Sequence, residues 1–211
     1  MPTMEQAREW YDPHDAVHGF DHALRVYNLV EKIGADLGAD LEILRAAALL
    51  HDASGAAPGE GGTRSSHEHD SADFAGEVLL EEGWGEERIA AVQHCIRTHR
   101  YRSREVPETL EARILFDADK LDVVGAFGVA RTIGYAVQAQ RPIFCEPTRH
   151  FLETGSTEPG EPHSAYHEYL FKLRHVKDRL HTSVAKRLAE ARVGVLTQFF
   201  EQLAAEARGD Y

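Results

Sequence analysis

His51 and Asp52 stand side by side where an apolar run, Leu41 to Leu50, gives way to a glycine-rich stretch. Neighbours on a helix point about 100° apart, so an imidazole and a carboxylate placed this way can straddle one ion lying over a helix end. Nitrogen and oxygen donors together suit Mn, Fe, Ni, Co or Zn, with Mg less expected as the histidine share rises. By itself a His-Asp pair at a helix end is more often a cap and a surface residue. Two further features give it company. His22 lies on an otherwise apolar helical face, and the segment Asp117-Ala118-Asp119-Lys120-Leu121-Asp122 offers three carboxylates.

These residues need helices to position them, and the sequence supplies little else. Apolar residues recur at helical spacing almost throughout, while strand-like alternation is scarce, which predicts an all-α fold. His22, Val26, Leu29, Val30, Ile33 and Leu37 form one stripe that Gly38 can stop, and Asp40 can cap the central apolar helix that follows. The stretch from Ala53 to Ser66 reads as a loop, with helix resuming near Asp70. From Leu110 to about Gln140 the pattern is helical but crossed by Gly125, Gly128 and Gly134, which predicts a bend or two helices. Residues 141–162 read as irregular, and Ala165 to Leu180 and Ser183 to Ala207 as helical again. The expectation is one domain over residues 1–211, a helical bundle with a metal site between central helices. Its core motifs lie within 18–131, and the helices of 165–207 pack on that core.

Composition bounds the function. A net charge of −12, from 23 basic and 35 acidic side chains, argues against gripping duplex nucleic acid, which requires stripes of Lys and Arg. Small phosphorylated molecules stay open, because a metal ion or a few arginines can invert the field locally. Cys95 and Cys145 form no framework, no signal-peptide pattern opens the chain, and the longest uncharged apolar run, Val123 to Ala130, is far short of a membrane span. A cytoplasmic protein with no membrane partner is expected. Thirteen histidines, where average usage gives roughly five, are the compositional oddity that a metal site would explain in part.

The pattern of a histidine, a later His-Asp doublet and a distal aspartate resembles the HD-domain superfamily of metal-dependent phosphohydrolases. The resemblance implies His22, His51, Asp52 and Asp119 as ligands of one divalent ion, Mn favoured over Mg, Ni, Co or Fe. It chooses Asp119 among the three carboxylates because Ala118-Asp119-Lys120-Leu121 is similar to the family's Ala-Asp-Arg/Lys-Leu signature. His18-Gly19-Phe20-Asp21-His22-Ala23-Leu24-Arg25-Val26 is similar to the opening of a bacterial subgroup related to nucleotide pyrophosphohydrolases, and likeness continues through His94, His99, Glu111 to Leu115 and Gly128 to Arg131.

Such an ion would make hydrolysis of a phosphoester or phosphoanhydride possible, with Asp52 serving both as ligand and in catalysis. His18, one turn before His22, is a candidate proton donor or phosphate contact, and Glu68 a candidate for orienting the attacking water. Arg25 shares a face with His22. Arg25, Arg64, Lys120 and the group Arg97, Arg100, Arg102 and Arg104 are candidates for receiving phosphates. His94 and His99, about 140° apart on an ideal helix, can contact substrate or serve a second metal if the helix ends between them. The favoured reaction converts a nucleoside triphosphate to a monophosphate and pyrophosphate. The alternatives are a phosphomonoesterase on a nucleoside monophosphate, a binuclear-iron oxygenase, and a module in which metal only holds helices together.

Overall fold

Among the described residues the computed structural model has ten α-helices, one 3-10 helix and no strand. Those residues are 1–13, 15, 19–54, 67–100 and 105–210. The expected all-α class holds. His18, Arg64, Arg102, Arg104 and most of the glycine-rich stretch lie outside the described residues. The chain divides into two compact units, Met1–Asp119 and Lys120–Tyr211.

The first unit is built around α3 (Leu41–Leu50), which packs on α2 (Phe20–Leu37), α4 (His67–Glu81) and α5 (Glu86–Thr98). Leu44, Ala46, Ala47, Ala48, Leu49 and Leu50 are all buried, and the small alanines let neighbouring helices approach on several sides. Gly38 ends α2 in the left-handed region at φ 70°, a conformation open to glycine at no steric cost. One turn earlier, a Cβ on Gly34 would come within 2.6 Å of Leu44 Cδ1, so α2 and α3 approach closely enough that a larger residue there would force the leucine side chains to shift. Asp40 caps α3, its carboxylate accepting from the Glu42 and Ile43 N–H groups. Its own N–H donates to Glu111 Oε1 at 3.0 Å, which ties the start of α3 to the start of α6 (Leu110–Asp122).

Ahead of α2, α1 (Met4–Glu9) begins with a reciprocal cap between Thr3 and Gln6. Ala7 and Tyr11 then bury themselves with Phe20, Ala23 and Leu49. Helix resumes at His67, three residues before the expected start. His67 and Glu68 therefore occupy the first turn of α4 and not a loop.

In the second unit α7 (Gly125–Gln138) follows α6 after a break in which Gly125 adopts φ 78°, so the glycine-crossed stretch resolves into two helices. Arg192 donates to the Leu121 carbonyl at 2.6 Å, and Arg131 pairs with the Asp122 carboxylate at 2.6 Å. Both arginines thus secure the end of α6. The stretch expected to be irregular contains α8 (Arg149–Thr154). The expected helix from Ala165 divides into α9 (Ala165–Phe171) and a 3-10 helix (Leu173–Arg179) before α10 (Ser183–Arg208). His167 closes a reciprocal cap with Ser164 and reaches Glu161 Oε1 at 3.1 Å. Glu161 also accepts from the Thr148 backbone and hydroxyl, and these partners hold its carboxyl at about 2 despite the opposing effect of burial. His167 is a structural histidine. No helix among the described residues is long and apolar enough to cross a membrane.

Asp40 offers a direct check on how α3 is anchored. Burial alone would raise its carboxyl, but the Ile43 and Glu42 N–H groups and Arg88 outweigh it and hold the group below its ordinary 3.8. Asp40→Ala should cost about 1 kcal/mol in chemical denaturation at neutral pH. Because the folded value is depressed, the gap between parent and variant should narrow as the pH falls through and below the ordinary carboxyl range.

Candidate metal centre

Each side chain of the histidine-aspartate cluster sits near the end of a helix of the first unit. His22 lies in the first turn of α2, His51 and Asp52 follow the last turn of α3, and His67 opens α4. His99 caps α5, and Asp119 lies near the end of α6. His22 Nε2 is 3.2 Å from His51 Nε2, 3.3 Å from Asp119 Oδ1 and 3.8 Å from Asp52 Oδ2. His51 Nε2 is 3.5 Å from that same Asp52 oxygen. The other Asp52 oxygen faces His99 Nε2 at 3.5 Å and His67 Nε2 at 3.6 Å. Two donor groups result, His22-His51-Asp52 and Asp52-His67-His99, each with ligand atoms within 4.8 Å of one another. Asp52 belongs to both.

The orientation of the rings follows from backbone chemistry. His51 Nδ1 lies 2.9 Å from the Ala48 carbonyl, and His99 Nδ1 lies 2.6 Å from the Ile96 carbonyl. A carbonyl only accepts, so the Nδ1 of each ring carries a hydrogen, and in a neutral His51 the lone pair is on Nε2, 3.2 Å from His22 Nε2 and 3.5 Å from Asp52. His51 is fully buried, and burial pushes its pKa down to about 4 against the opposing pull of Asp52. It is therefore neutral over the physiological range. A lone pair facing a carboxylate is an arrangement that a cation would relieve, and a second nitrogen bonded to a carbonyl is the usual support of a metal-binding histidine. The donor set suits a divalent first-row ion.

Around this cluster, Glu68 is 5% exposed and accepts from Arg100 at 2.8 Å. Burial pushes its carboxyl up, but a backbone N–H and Arg100 outweigh that and keep it ionised. Arg25 is half-buried on α2, three residues beyond His22, and Lys120 is buried directly after Asp119. His94 takes another course: its Nε2 accepts from the Glu108 N–H at 3.1 Å, and it belongs to neither donor group. Arg97 pairs with Glu105 at 3.2 Å. The position beside His99 falls instead to His67, whose pKa burial lowers. Its signal in the sequence was the run His67-Glu68-His69-Asp70, acidic residues of the kind that favour a helix N-terminus.

Comparison with known proteins follows the same residues. The HD domain profile matches residues 19–124, the span from the start of α2 to just beyond α6. The chain belongs to the HD domain family. Among its relatives is the uncharacterized protein YpgQ of Bacillus subtilis (strain 168), 30% identical over 99% of this chain and 96% of that one. The crystal structure of Bacillus subtilis YpgQ in complex with ADP aligns with a TM-score of 0.73 at 27% identity, covering 97% of both chains. An HD-superfamily hydrolase from Bacillus thuringiensis aligns with a TM-score of 0.68 at 25% identity, over 97% of this chain and 93% of its own. As a member of this HD hydrolase superfamily the protein is an enzyme, and its His/Asp cluster could bind a metal.

The tautomer assignment can be read directly. In metal-free protein, long-range 15N–1H correlation spectra should show His51 with its hydrogen on Nδ1 and no protonation between pH 5 and 8. A ring titrating near the ordinary 6.5 would contradict the burial argument.

Proposed function

We propose that the protein is a divalent-metal-dependent phosphohydrolase that converts a nucleoside triphosphate to a monophosphate and pyrophosphate. The observation that carries this reading is the convergence of His22, His51 and Asp52, with Asp119 beside His22 and the His51 ring held by the Ala48 carbonyl. These four residues would hold the ion, with Mn favoured. When bound, such an ion acidifies water and offsets charge developing on phosphorus.

The chain's own residues supply the rest. Glu68, ionised and held by Arg100, accepts a proton from the attacking water. Arg25, Arg100 and Lys120 receive phosphate oxygens, giving a protein of net charge −12 a local positive field. The buried walls of the cluster keep bulk water from competing. Support for a nucleotide comes from the ADP complex of YpgQ, which aligns over almost the full length. A cytoplasmic location and a small nucleotide partner fit this chemistry.

A second reading is favoured by one observation: Asp52 is shared with His67 and His99, so two ions could be held across its carboxylate. That arrangement would also serve a binuclear-iron oxygenase. Metal analysis distinguishes them, since two irons per chain would favour the oxygenase and a single non-iron ion the mononuclear hydrolase.

Incubation with dATP and Mn2+ should release pyrophosphate. Orthophosphate from dAMP, without pyrophosphate from dATP, would instead indicate a phosphomonoesterase. His51→Ala and chelation with EDTA should each abolish turnover. Glu68→Gln should lower kcat by about 10²–10⁴-fold and leave Mn2+ affinity, measured by calorimetry, within about twofold of the parent. A Glu68→Gln enzyme of parental kcat would remove Glu68 from the proton transfer.

A further inference from the structure

Tyr11 lies outside the span matched by the HD profile, on the segment that follows α1. Its ring is buried, 6% exposed, against Phe20 and Leu49. Its hydroxyl donates to the Leu49 carbonyl at 3.0 Å, a contact between residues 38 positions apart. That bond holds the last turn of α3 two residues ahead of His51 and three ahead of Asp52.

The surroundings give that contact its weight. At the end of α3 the Ala48 carbonyl is met by the His51 ring, and the Leu50 carbonyl by the Ala53 N–H at 3.2 Å. The Leu49 carbonyl, between them, is met by Tyr11. A hydrogen bond there fixes the direction in which the chain leaves the helix, and with it the aim of two ligands.

We propose that Tyr11 is a positioning residue for the metal centre, its hydroxyl clipping the His51-Asp52 turn from a segment outside the HD match. The inference rests on the metal reading above. Through this clip the segment around Tyr11 and the ion are coupled. Coupling between binding and a structural element is reciprocal, so bound metal must stabilise the contact as much as the contact favours metal.

The test uses the full chain and Mn2+ alone. Tyr11→Phe keeps the buried ring and removes only the oxygen. It should weaken Mn2+ binding by about tenfold or more, as loss of an outer-shell partner does. Ile33→Val, a truncation in the core of α2 away from the turn, should lower stability while leaving Mn2+ affinity unchanged, which separates positioning from general loosening. The parent protein supplies a second measurement should Tyr11→Phe fail to fold. Mn2+ should slow amide hydrogen exchange in peptides covering residues 10–12 together with those covering 50–53. Equal Mn2+ affinity in parent and Tyr11→Phe, or exchange around Tyr11 indifferent to Mn2+, would overturn this inference alone. A parent that binds no Mn2+ would overturn the metal reading and the inference with it.

Discussion

A helix that stops inside a protein leaves its last carbonyls without helical donors, and each one buried unbonded costs about 1–3 kcal/mol. α3 stops in this way at Leu50, with every residue of its final turn buried. The solution is also what makes the cluster. Ala48 takes its donor from the ring of His51, Leu49 from the hydroxyl of Tyr11 and Leu50 from the backbone of Ala53. Since His51 spends its Nδ1 hydrogen on satisfying the helix, its Nε2 is left as an acceptor turned toward His22 and Asp52. The stability requirement of the fold and the lone pair needed for a ligand are two consequences of one hydrogen bond. α5 repeats the device with His99 on the Ile96 carbonyl.

Electrostatics follow from this geometry. Asp52 and Asp119 are nearly buried carboxylates set among imidazoles, two of which, His51 and His99, have Nδ1 bonded to a backbone carbonyl. Burying such donors in the interior is unfavourable unless something positive joins them. The histidines thereby separate by role. His22, His51, His67 and His99 converge, His94 and His167 serve backbone or capping contacts elsewhere, and the excess in the composition is only partly chemical.

Much of this was legible in the sequence because helical periodicity is a local property. The stripe from His22 to Leu37, the stop at Gly38, the cap at Asp40 and the apolar run ending at His51 all appear as helices or caps at those places. Each depends on residues within a few positions. Less was legible where long-range contacts decide. His67 and Glu68 sat between the glycine-rich stretch and the expected helix start near Asp70, yet the packing of α4 on α5 and the Arg100 bond to Glu68 carry the helix back over them. The pairing of His99 with His67, and not with His94, depends on how two helices cross. Tyr11 gave no signal, because a tyrosine in an N-terminal segment is recognisable as a helix cap only once its carbonyl partner, 38 positions away, is known.

The far end of α3 shows why distant caps matter to the chemistry. Asp40, at its start, donates its N–H to Glu111, one residue into α6. From Asp40 to His51 is about 16 Å of helix, and from Glu111 to Asp119 about 12 Å, at about 1.5 Å per residue. The two helices are thus tied where they begin and deliver their ligands to one cluster where they end. A slip of one residue in either would turn its ligand by about 100° and move it about 1.5 Å along the axis, several times the tolerance of roughly 0.5 Å that a working site allows. Register at the capped end therefore sets geometry at the other. The Asp40 cap and the Glu111 bond belong to the site's construction even though neither reaches the cluster.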